Sequence, residues 1–157
     1  MTENNPIRVK KLKSLLAMAE NSVKSDNYFF RNIYADNNGL EIDILENGAI
    51  SCAAFVSAVL LNLELLKRPH ATVNGTEKDL MENGWYAIQE CKPGAVVIWE
   101  KVKFADGKEH RHLGFCVSHD EAISNSATEG FPRRHHITYN GTRNIEKILW
   151  HTELDNG

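Results

Sequence analysis

One stretch of the sequence decides the fold, SCAAFVSAVLLNLELL at residues 51–66. Its apolar residues surround the helical axis on almost all sides, which is typical of a helix that is buried in a protein core. The stretch runs into Lys67-Arg68-Pro69, where cations and a proline favour the end of a helix. We therefore expect one buried helix around which the rest of the chain is built.

Two further helices are predicted on either side of this stretch. Ile7 to Lys24 places its apolar residues on one face, which predicts an amphipathic helix. Residues 36–39 form a turn, and Leu40 to Leu45 is either a short strand or an exposed loop. A short helix is expected from Thr76 to Asn83, with Thr76 as its N-cap and a glycine following it.

After residue 84 the pattern changes to strands. Turn signals at residues 92–94 and a hairpin tip at 105–108 separate apolar segments with strand character. The expected strands are 95–99, 112–117, 121–127, 136–139 and 145–150. Helices followed by an antiparallel meander define the α+β class, here one helix packed on five or six strands. Residues 1–157 are read as a single domain.

Composition excludes several classes of protein. The chain has 157 residues, 42% hydrophobic and 25% charged, which suits a packed core rather than disorder. A net charge of -3 provides no global attraction to nucleic acid, and no apolar run is long enough to span a membrane. Near the N-terminus the apolar run before Glu20 is only about five residues, so no signal peptide is predicted. A cytoplasmic location and export by a non-classical or phage-type route both remain open.

The three cysteines are Cys52, Cys91 and Cys116. An odd count without a CxxC pair argues against a disulfide framework and requires at least one free thiol in the monomer. Cys91 lies in a turn and Cys116 within a strand, so both are expected to be structural. Cys52 lies at the start of the buried helix.

A cysteine at a helix start has the position that a nucleophile needs. Unpaired N–H groups and the partial positive charge of the helix terminus favour the thiolate and can hold an oxyanion. The alternative is that Cys52 is a small core residue, as free cysteines often are. His112 opens a later strand and is the candidate base; the alternative is an exposed histidine at the edge of a hairpin.

Asn125 is the candidate third residue, which would orient the imidazole of His112 from the next strand. Neighbouring antiparallel strands would make the two residues cross-strand neighbours. Ser124 and Ser126 would then point to the opposite face. The alternative is that Asn125 belongs to a polar turn.

Four segments together resemble the NlpC-type cysteine peptidases, papain-like enzymes of the cell wall related to the CHAP amidases. In order they are SCAAFV at 51–56, KPGAVVIW at 92–99, HLGFCV at 112–117 and AISNS at 122–126. The resemblance covers roughly residues 48–127. It implies a papain-like fold, Cys52 as nucleophile, His112 as base and Asn125 as orienting residue. It also implies that the Cys52 N–H contributes to an oxyanion hole and that the substrate is a peptidoglycan peptide. No cofactor is expected, and no metal is expected because no CxxC or HExxH motif frames the histidines.

The sequence departs from the family pattern at several positions. Ser51 stands where the family usually has Asp, Ala53-Ala54 replaces Ser-Gly, and Ala95 replaces Asp. The family's Tyr-x-x-Gly-Gly motif has a loose counterpart that begins at Tyr34. Because that Asp often helps to bind a substrate amine, the change at Ser51 bears on the substrate more than on the chemistry. Ser51, Tyr34 and Trp99 are the candidate substrate contacts.

Three alternatives to amide hydrolysis remain open. An acyltransferase or deamidase could use the same Cys and His, and an inactive binding module could keep the scaffold without turnover. A zinc domain is the third alternative, because several potential ligands occur close together in the strands. These are His110, His112, His135, His136 and Cys116. The sequence does not indicate an oligomeric state.

Overall fold

The computed structural model describes residues 5–156 and has α+β architecture. Within these residues there are three α-helices, α1 Lys11–Ser22, α2 Cys52–Asn62 and α3 Val73–Glu82. There are also eight strands: β1 Tyr34–Asn37, β2 Leu40–Asp43, β3 Tyr86–Ile88, β4 Val96–Lys103, β5 Glu109–Cys116, β6 Glu121–Asn125, β7 Pro132–His136 and β8 Ile145–Trp150. In this described part, no helix is long and apolar enough to cross a membrane.

The six strands β3 to β8 form one antiparallel sheet in the order β3-β8-β4-β5-β6-β7. This confirms the expected α+β class and the antiparallel sheet. The remaining strands, β1 and β2, form a separate hairpin. Asn38 and Gly39 at its tip both have positive φ, 55° and 83°, as a tight two-residue hairpin turn requires.

Helix α2 is buried against the sheet, as its sequence predicts, but it ends at Asn62 and not near Lys67. Phe55 and Leu60 are fully buried, and the Phe55 ring meets the Phe115 ring of β5 edge to face at 5.7 Å. Trp85 and Leu15 complete the core from other segments of the chain. Because α2 is fixed on both sides by apolar contacts, the position of its first residue, Cys52, is set by the core.

Several predicted boundaries need correction. Helix α3 begins at Val73 rather than Thr76, and its cap is Thr72, whose side chain accepts a hydrogen bond from the Gly75 N–H at 3.1 Å. Thr76 lies inside the helix and donates to the Thr72 carbonyl at 2.8 Å. Helix α1 is also shorter than the predicted 7–24, since only residues 11–22 are helical.

The sheet departs from the prediction near its ends. Strand β7 is Pro132–His136 rather than residues 136–139, and residues 137–139 form a turn after the strand. Strand β6 ends at Asn125, and the short strand β3 was not predicted. Strand β7 was not predicted because it contains arginines, histidines and a proline. It lies at the edge of the sheet, where a strand does not need alternating apolar residues.

The expectation about disulfides is also corrected. Cys91 and Cys116 form a disulfide, with Cα atoms 6.1 Å apart, and Cys52 is the free cysteine. The turn before β4 brings the two together, since the Gly94 N–H donates to the Cys116 carbonyl at 2.9 Å. Antiparallel pairing places the start of β4 beside the end of β5, a proximity that cysteine spacing alone does not reveal.

Candidate active site

Cys52 is the first residue of α2 and is 7% exposed. Burial raises the pKa of its thiol to about 11, although backbone hydrogen bonds from Leu113 and Ala53 and the charge of Arg143 act in the opposite direction. In the free protein, burial therefore raises the pKa of the thiol by more than the helix N-terminus lowers it. At neutral pH Cys52 rests as a thiol.

Cys52 and His112 both line a cavity of about 400 Å³. The cavity lies between the start of α3, represented by Thr72 and Asn74, and the β4–β5 hairpin. The thiol is held close to the backbone of Leu113, the residue that follows His112. The two residues predicted as nucleophile and base therefore open onto the same space.

The imidazole of His112 is fixed by Ser124. Its Nε2 atom lies 2.8 Å from the Ser124 hydroxyl, which in turn lies 2.7 Å from Nε2 of His135 and 3.1 Å from the Tyr139 hydroxyl. Among the described residues, Nδ1 of His112 forms no hydrogen bond. Ser124 is thus the centre of a polar cluster of four side chains, His112, Ser124, His135 and Tyr139.

The hydrogen bonds of this cluster determine its proton positions. Nδ1 of His135 lies 2.8 Å from the His136 carbonyl, which can only accept, so Nδ1 carries the proton. Burial lowers the pKa of His135, so its other nitrogen is unprotonated and accepts from Ser124. The single hydroxyl proton of Ser124 is then used, and its oxygen accepts from both Tyr139 and Nε2 of His112.

This arrangement gives His112 a defined tautomer. With the proton on Nε2, the free lone pair is on Nδ1, the nitrogen without a protein partner. Burial, together with the charges of Arg143 and His135, lowers the pKa of His112 to about 3. His112 is therefore a neutral imidazole with an unprotonated Nδ1, and the cavity that it shares with Cys52 is lined by two neutral groups rather than by a resting ion pair.

Asn125 does not contact the imidazole. Its Nδ2 donates to the Gly48 carbonyl at 2.7 Å, and within residues 5–156 its Oδ1 has no hydrogen-bond partner. The reason is strand register: Phe115 pairs with Ile123 and Cys116 with Ala122, so Ser124 shares the face of His112 and Asn125 has the opposite face. The orienting role predicted for Asn125 is therefore corrected to Ser124, and Asn125 instead ties β6 to the loop that leads into Cys52.

Gly114 allows the two strands to approach at this point. A Cβ atom there would lie 2.6 Å from the Ile123 carbonyl oxygen and 2.7 Å from the Ser124 Cβ. These separations are too short for any side chain. The glycine between His112 and Cys116 is thus what brings Ser124 within reach of the imidazole.

Trp99 is a supporting residue rather than a substrate contact. It is fully buried, and its indole N–H donates to the Ile137 carbonyl at 2.6 Å. Its ring lies 5.3 Å from the His112 ring and 5.4 Å from the His135 ring. The prediction that Trp99 contacts substrate is corrected, because this ring packs behind the polar cluster.

The other two candidate substrate contacts also lie outside the cavity surface. Ser51 is fully buried, and in the described chain its hydroxyl has no hydrogen-bond partner. Tyr34 is 65% exposed on the β1–β2 hairpin and lines neither cavity beside His112. Neither side chain is positioned to contact a substrate at Cys52.

The potential zinc ligands are engaged elsewhere. Cys116 is in the disulfide, and His110 lies 3.2 Å from Asp106. His112 and His135 are joined through Ser124. Across residues 5–156, no group of three or more His, Cys, Asp or Glu side chains is arranged to hold a metal ion.

The sequence did not predict that Ser124, His135, Tyr139 and Arg143 lie around His112. Ser124 was assigned to the opposite face, and His135 was considered only as a zinc ligand. Strand parity could have revealed Ser124, because counting across the β5–β6 turn places it on the face of His112. Tyr139 and Arg143 lie in and after the turn that follows β7, where no periodicity indicates which side chains turn back to the sheet.

Comparison of the sequence with protein-family models and with curated proteins gives no match.

Proposed function

We propose that this chain is a cysteine hydrolase of the NlpC type with a papain-like fold, which cleaves an amide bond through a thioester intermediate. One observation carries the proposal: Cys52, at the start of a buried helix, and His112, with an unprotonated Nδ1, open onto one cavity. A nucleophile, a base and a group that orients the base are the minimum set for this chemistry. Ser124 is the group that orients the base.

The reaction begins with two neutral groups. His112 Nδ1 accepts the thiol proton as the sulfur of Cys52 attacks the carbonyl carbon of the amide. The carbon–nitrogen bond then breaks, and the same proton passes from Nδ1 to the leaving amine. In the second half, Nδ1 takes a proton from water, the hydroxide attacks the thioester, and the carbon–sulfur bond breaks. The departing thiolate recovers the proton from His112.

Backbone N–H groups at the start of α2 supply the oxyanion site. The N–H groups of Cys52 and Ala53 lie in the first turn, where they have no partner within the helix. Both already favour negative charge on the sulfur. Because the pKa of Cys52 is about 11, the sulfur is uncharged in the resting state. These N–H groups therefore stabilise mainly the negative charge that develops during the attack.

A peptide of bacterial peptidoglycan is the proposed substrate class, on the resemblance of the four sequence segments. The test is incubation with purified soluble peptidoglycan fragments, with mass spectrometry of the products. Wild-type protein should release a new amine and a new carboxylate, whereas Cys52→Ala and His112→Ala, checked for folding by circular dichroism, should release none. Turnover that persists in folded Cys52→Ala would overturn the mechanism.

Two controls separate the alternatives. Added hydroxylamine should intercept the thioester and yield a hydroxamate; products that form only with an added amine would favour an acyltransferase. Binding of the fragments without turnover by the wild type would instead favour the inactive binding module.

A further inference from the structure

A second cavity of about 280 Å³ lies on the other flank of His112. The polar cluster contributes His112, Ser124, His135 and Tyr139 to its wall, and Arg143 lies beside them. His112 and Phe104 line both cavities. The candidate base therefore stands between two spaces, only one of which is lined by Cys52.

Arg143 is held in this wall by backbone groups. Its Nε donates to the Glu100 carbonyl at 3.0 Å, and its Nη2 donates to the His110 carbonyl at 2.8 Å. These two bonds fix the plane of the guanidinium on the β4–β5 hairpin. They use two of its five N–H groups, and among the described residues the other three have no hydrogen-bond partner.

No carboxylate of the described chain lies within ion-pair distance of Arg143. Other arginines of the sheet are paired: Arg111 with Glu77 and Glu146, Arg133 with Glu129, and Arg134 with Glu20 and Glu121. Glu100 lies in β4, and its backbone carbonyl accepts from Arg143, but its carboxylate accepts hydrogen bonds from Asn144 instead.

The cavity therefore carries a positive charge that no direct ion pair neutralises, although the Glu100 carboxylate acts on it from a greater distance. Glu129 and Arg133, which also line it, neutralise each other, and His135 is neutral because burial lowers its pKa. A half-buried guanidinium with free N–H groups is a strong site for a planar anion. Its field also reaches the reacting sulfur, since the Arg143 charge favours the Cys52 thiolate.

We infer that Arg143 binds a carboxylate of the substrate beside the Cys52–His112 pair, so that the preferred substrate is an acidic peptide. The carboxylate would be a free C-terminus or an acidic side chain close to the scissile amide. This inference rests on the proposed function, because it assigns a specificity residue to that same site.

The test uses matched alkylating reagents, so that no substrate needs to be known. Iodoacetate and iodoacetamide have nearly the same shape but differ in charge, and N-iodoacetylglycine and its amide form a second, longer pair. The rate at Cys52 is measured for each reagent by mass spectrometry. The anionic-to-neutral rate ratio is compared with that of 2-mercaptoethanol, a neutral thiol. Each ratio cancels changes in thiolate population, because both reagents of a pair attack the same thiolate.

In wild-type protein the ratio for at least one pair should exceed the reference by about tenfold, the scale of one charge-assisted hydrogen bond. Arg143→Gln should return it to the reference value, and Arg143→Lys, which keeps the charge, should retain part of the preference. A wild-type ratio at or below the reference for both pairs overturns the inference, and this measurement needs no variant to fold.

The same experiment separates the two proposals. If Cys52 reacts in a His112-dependent way but the ratios do not depend on Arg143, the carboxylate site fails and the hydrolase proposal stands. If the neutral reagents react equally fast with the wild type and with folded His112→Ala, the Cys–His pair fails, and the inference fails with it.

Discussion

At the residue scale, the functional state of His112 depends on where a single proton lies. The chain from the His136 carbonyl through His135 and Ser124 places that proton on Nε2. Because Nε2 is hydrogen-bonded to Ser124, Nδ1 is the nitrogen whose lone pair remains free to serve as a base for Cys52. Ser124 and His135 are therefore positioning residues, which act on the thiol through His112 and do not touch it.

Removing the Ser124 hydroxyl should release this constraint. In Ser124→Ala, we expect His112 to populate both neutral tautomers and the rate of iodoacetamide attack at Cys52 to fall by at least about twofold, because only one tautomer can accept the thiol proton at Nδ1. Nitrogen-15 spectra of the histidine rings measure the tautomer directly. Tyr139→Phe is the matched control, because it removes one donor to Ser124 but leaves the proton order intact. A single Nε2–H tautomer in Ser124→Ala would contradict the assignment.

The low pKa of His112 also affects stability. Its pKa is about 3 in the folded protein against about 6.5 in an unfolded chain, so below about pH 6.5 the unfolded state binds more protons. Stability should therefore fall as pH is lowered through this window. From His112 alone, the free energy of unfolding should be about 1.4 kcal/mol lower near pH 5.5 than near pH 7.5.

Urea unfolding at the two pH values measures this difference. His135, whose pKa is also lowered, adds to the loss in the same direction. His112→Gln should remove the contribution of His112 and leave the smaller one of His135. An unchanged pH dependence in His112→Gln would show that the imidazole of His112 is not held neutral by burial.

At the element scale, the contact between β5 and β6 is the feature on which the polar cluster depends. Gly114→Ala would place a methyl group 2.7 Å from the Ser124 Cβ. The strands must separate to admit it, at a cost of about 1–3 kcal/mol of stability. The iodoacetamide rate at Cys52 should fall together with stability, because the Ser124 hydroxyl moves away from His112.

Gly107→Ala is the control for this change. Gly107 lies at the hairpin tip with φ of 80° and open space around it, so alanine there costs backbone strain of about 1 kcal/mol. Thermal unfolding should report a loss in both variants, whereas only Gly114→Ala should slow Cys52. An equal effect of the two variants on Cys52 would mean that the strand contact does not position His112.

The elements also show what the sequence could predict. A long apolar stretch predicted α2, short apolar segments between turn signals predicted the central strands, and β8 was predicted with its observed bounds of Ile145–Trp150. The helix start at Cys52 was predicted correctly. The strand of His112 was also predicted, but it begins at Glu109, so that His112 lies inside β5 and does not open it. The predicted face of Asn125 was wrong, because a shift of one residue in the register of two strands exchanges the two faces of the sheet. The edge strand β7 and the turn bearing Tyr139 gave no periodic signal.

At the scale of the whole molecule, the site joins elements that are distant in sequence. Cys52 comes from a helix in the first half of the chain, and His112, Ser124 and Arg143 come from the sheet and the turns in the second half. Asn125 links the halves through its bond to the Gly48 carbonyl. Any loss of packing between α2 and the sheet should therefore separate nucleophile and base before the sheet itself unfolds.

The disulfide between Cys91 and Cys116 restrains the second half of this assembly. It closes a loop with a sequence separation of 25 and joins the turn before β4 to the end of β5. By its effect on the entropy of the unfolded chain, a loop of this length contributes about 3.5 kcal/mol. The Cys91→Ser/Cys116→Ser double variant should therefore lose about 3.5 kcal/mol in urea unfolding.

Cys52→Ser is the matched control for this loss, because it removes the remaining thiol without opening the loop. Titration of the denatured, unreduced wild type should count one thiol, at Cys52. Reducing agent should destabilise the wild type and Cys52→Ser alike and leave the double variant unchanged. Three titratable thiols in the unreduced protein would contradict the disulfide, and with it the assignment of Cys52 as the single reactive sulfur in the alkylation experiments.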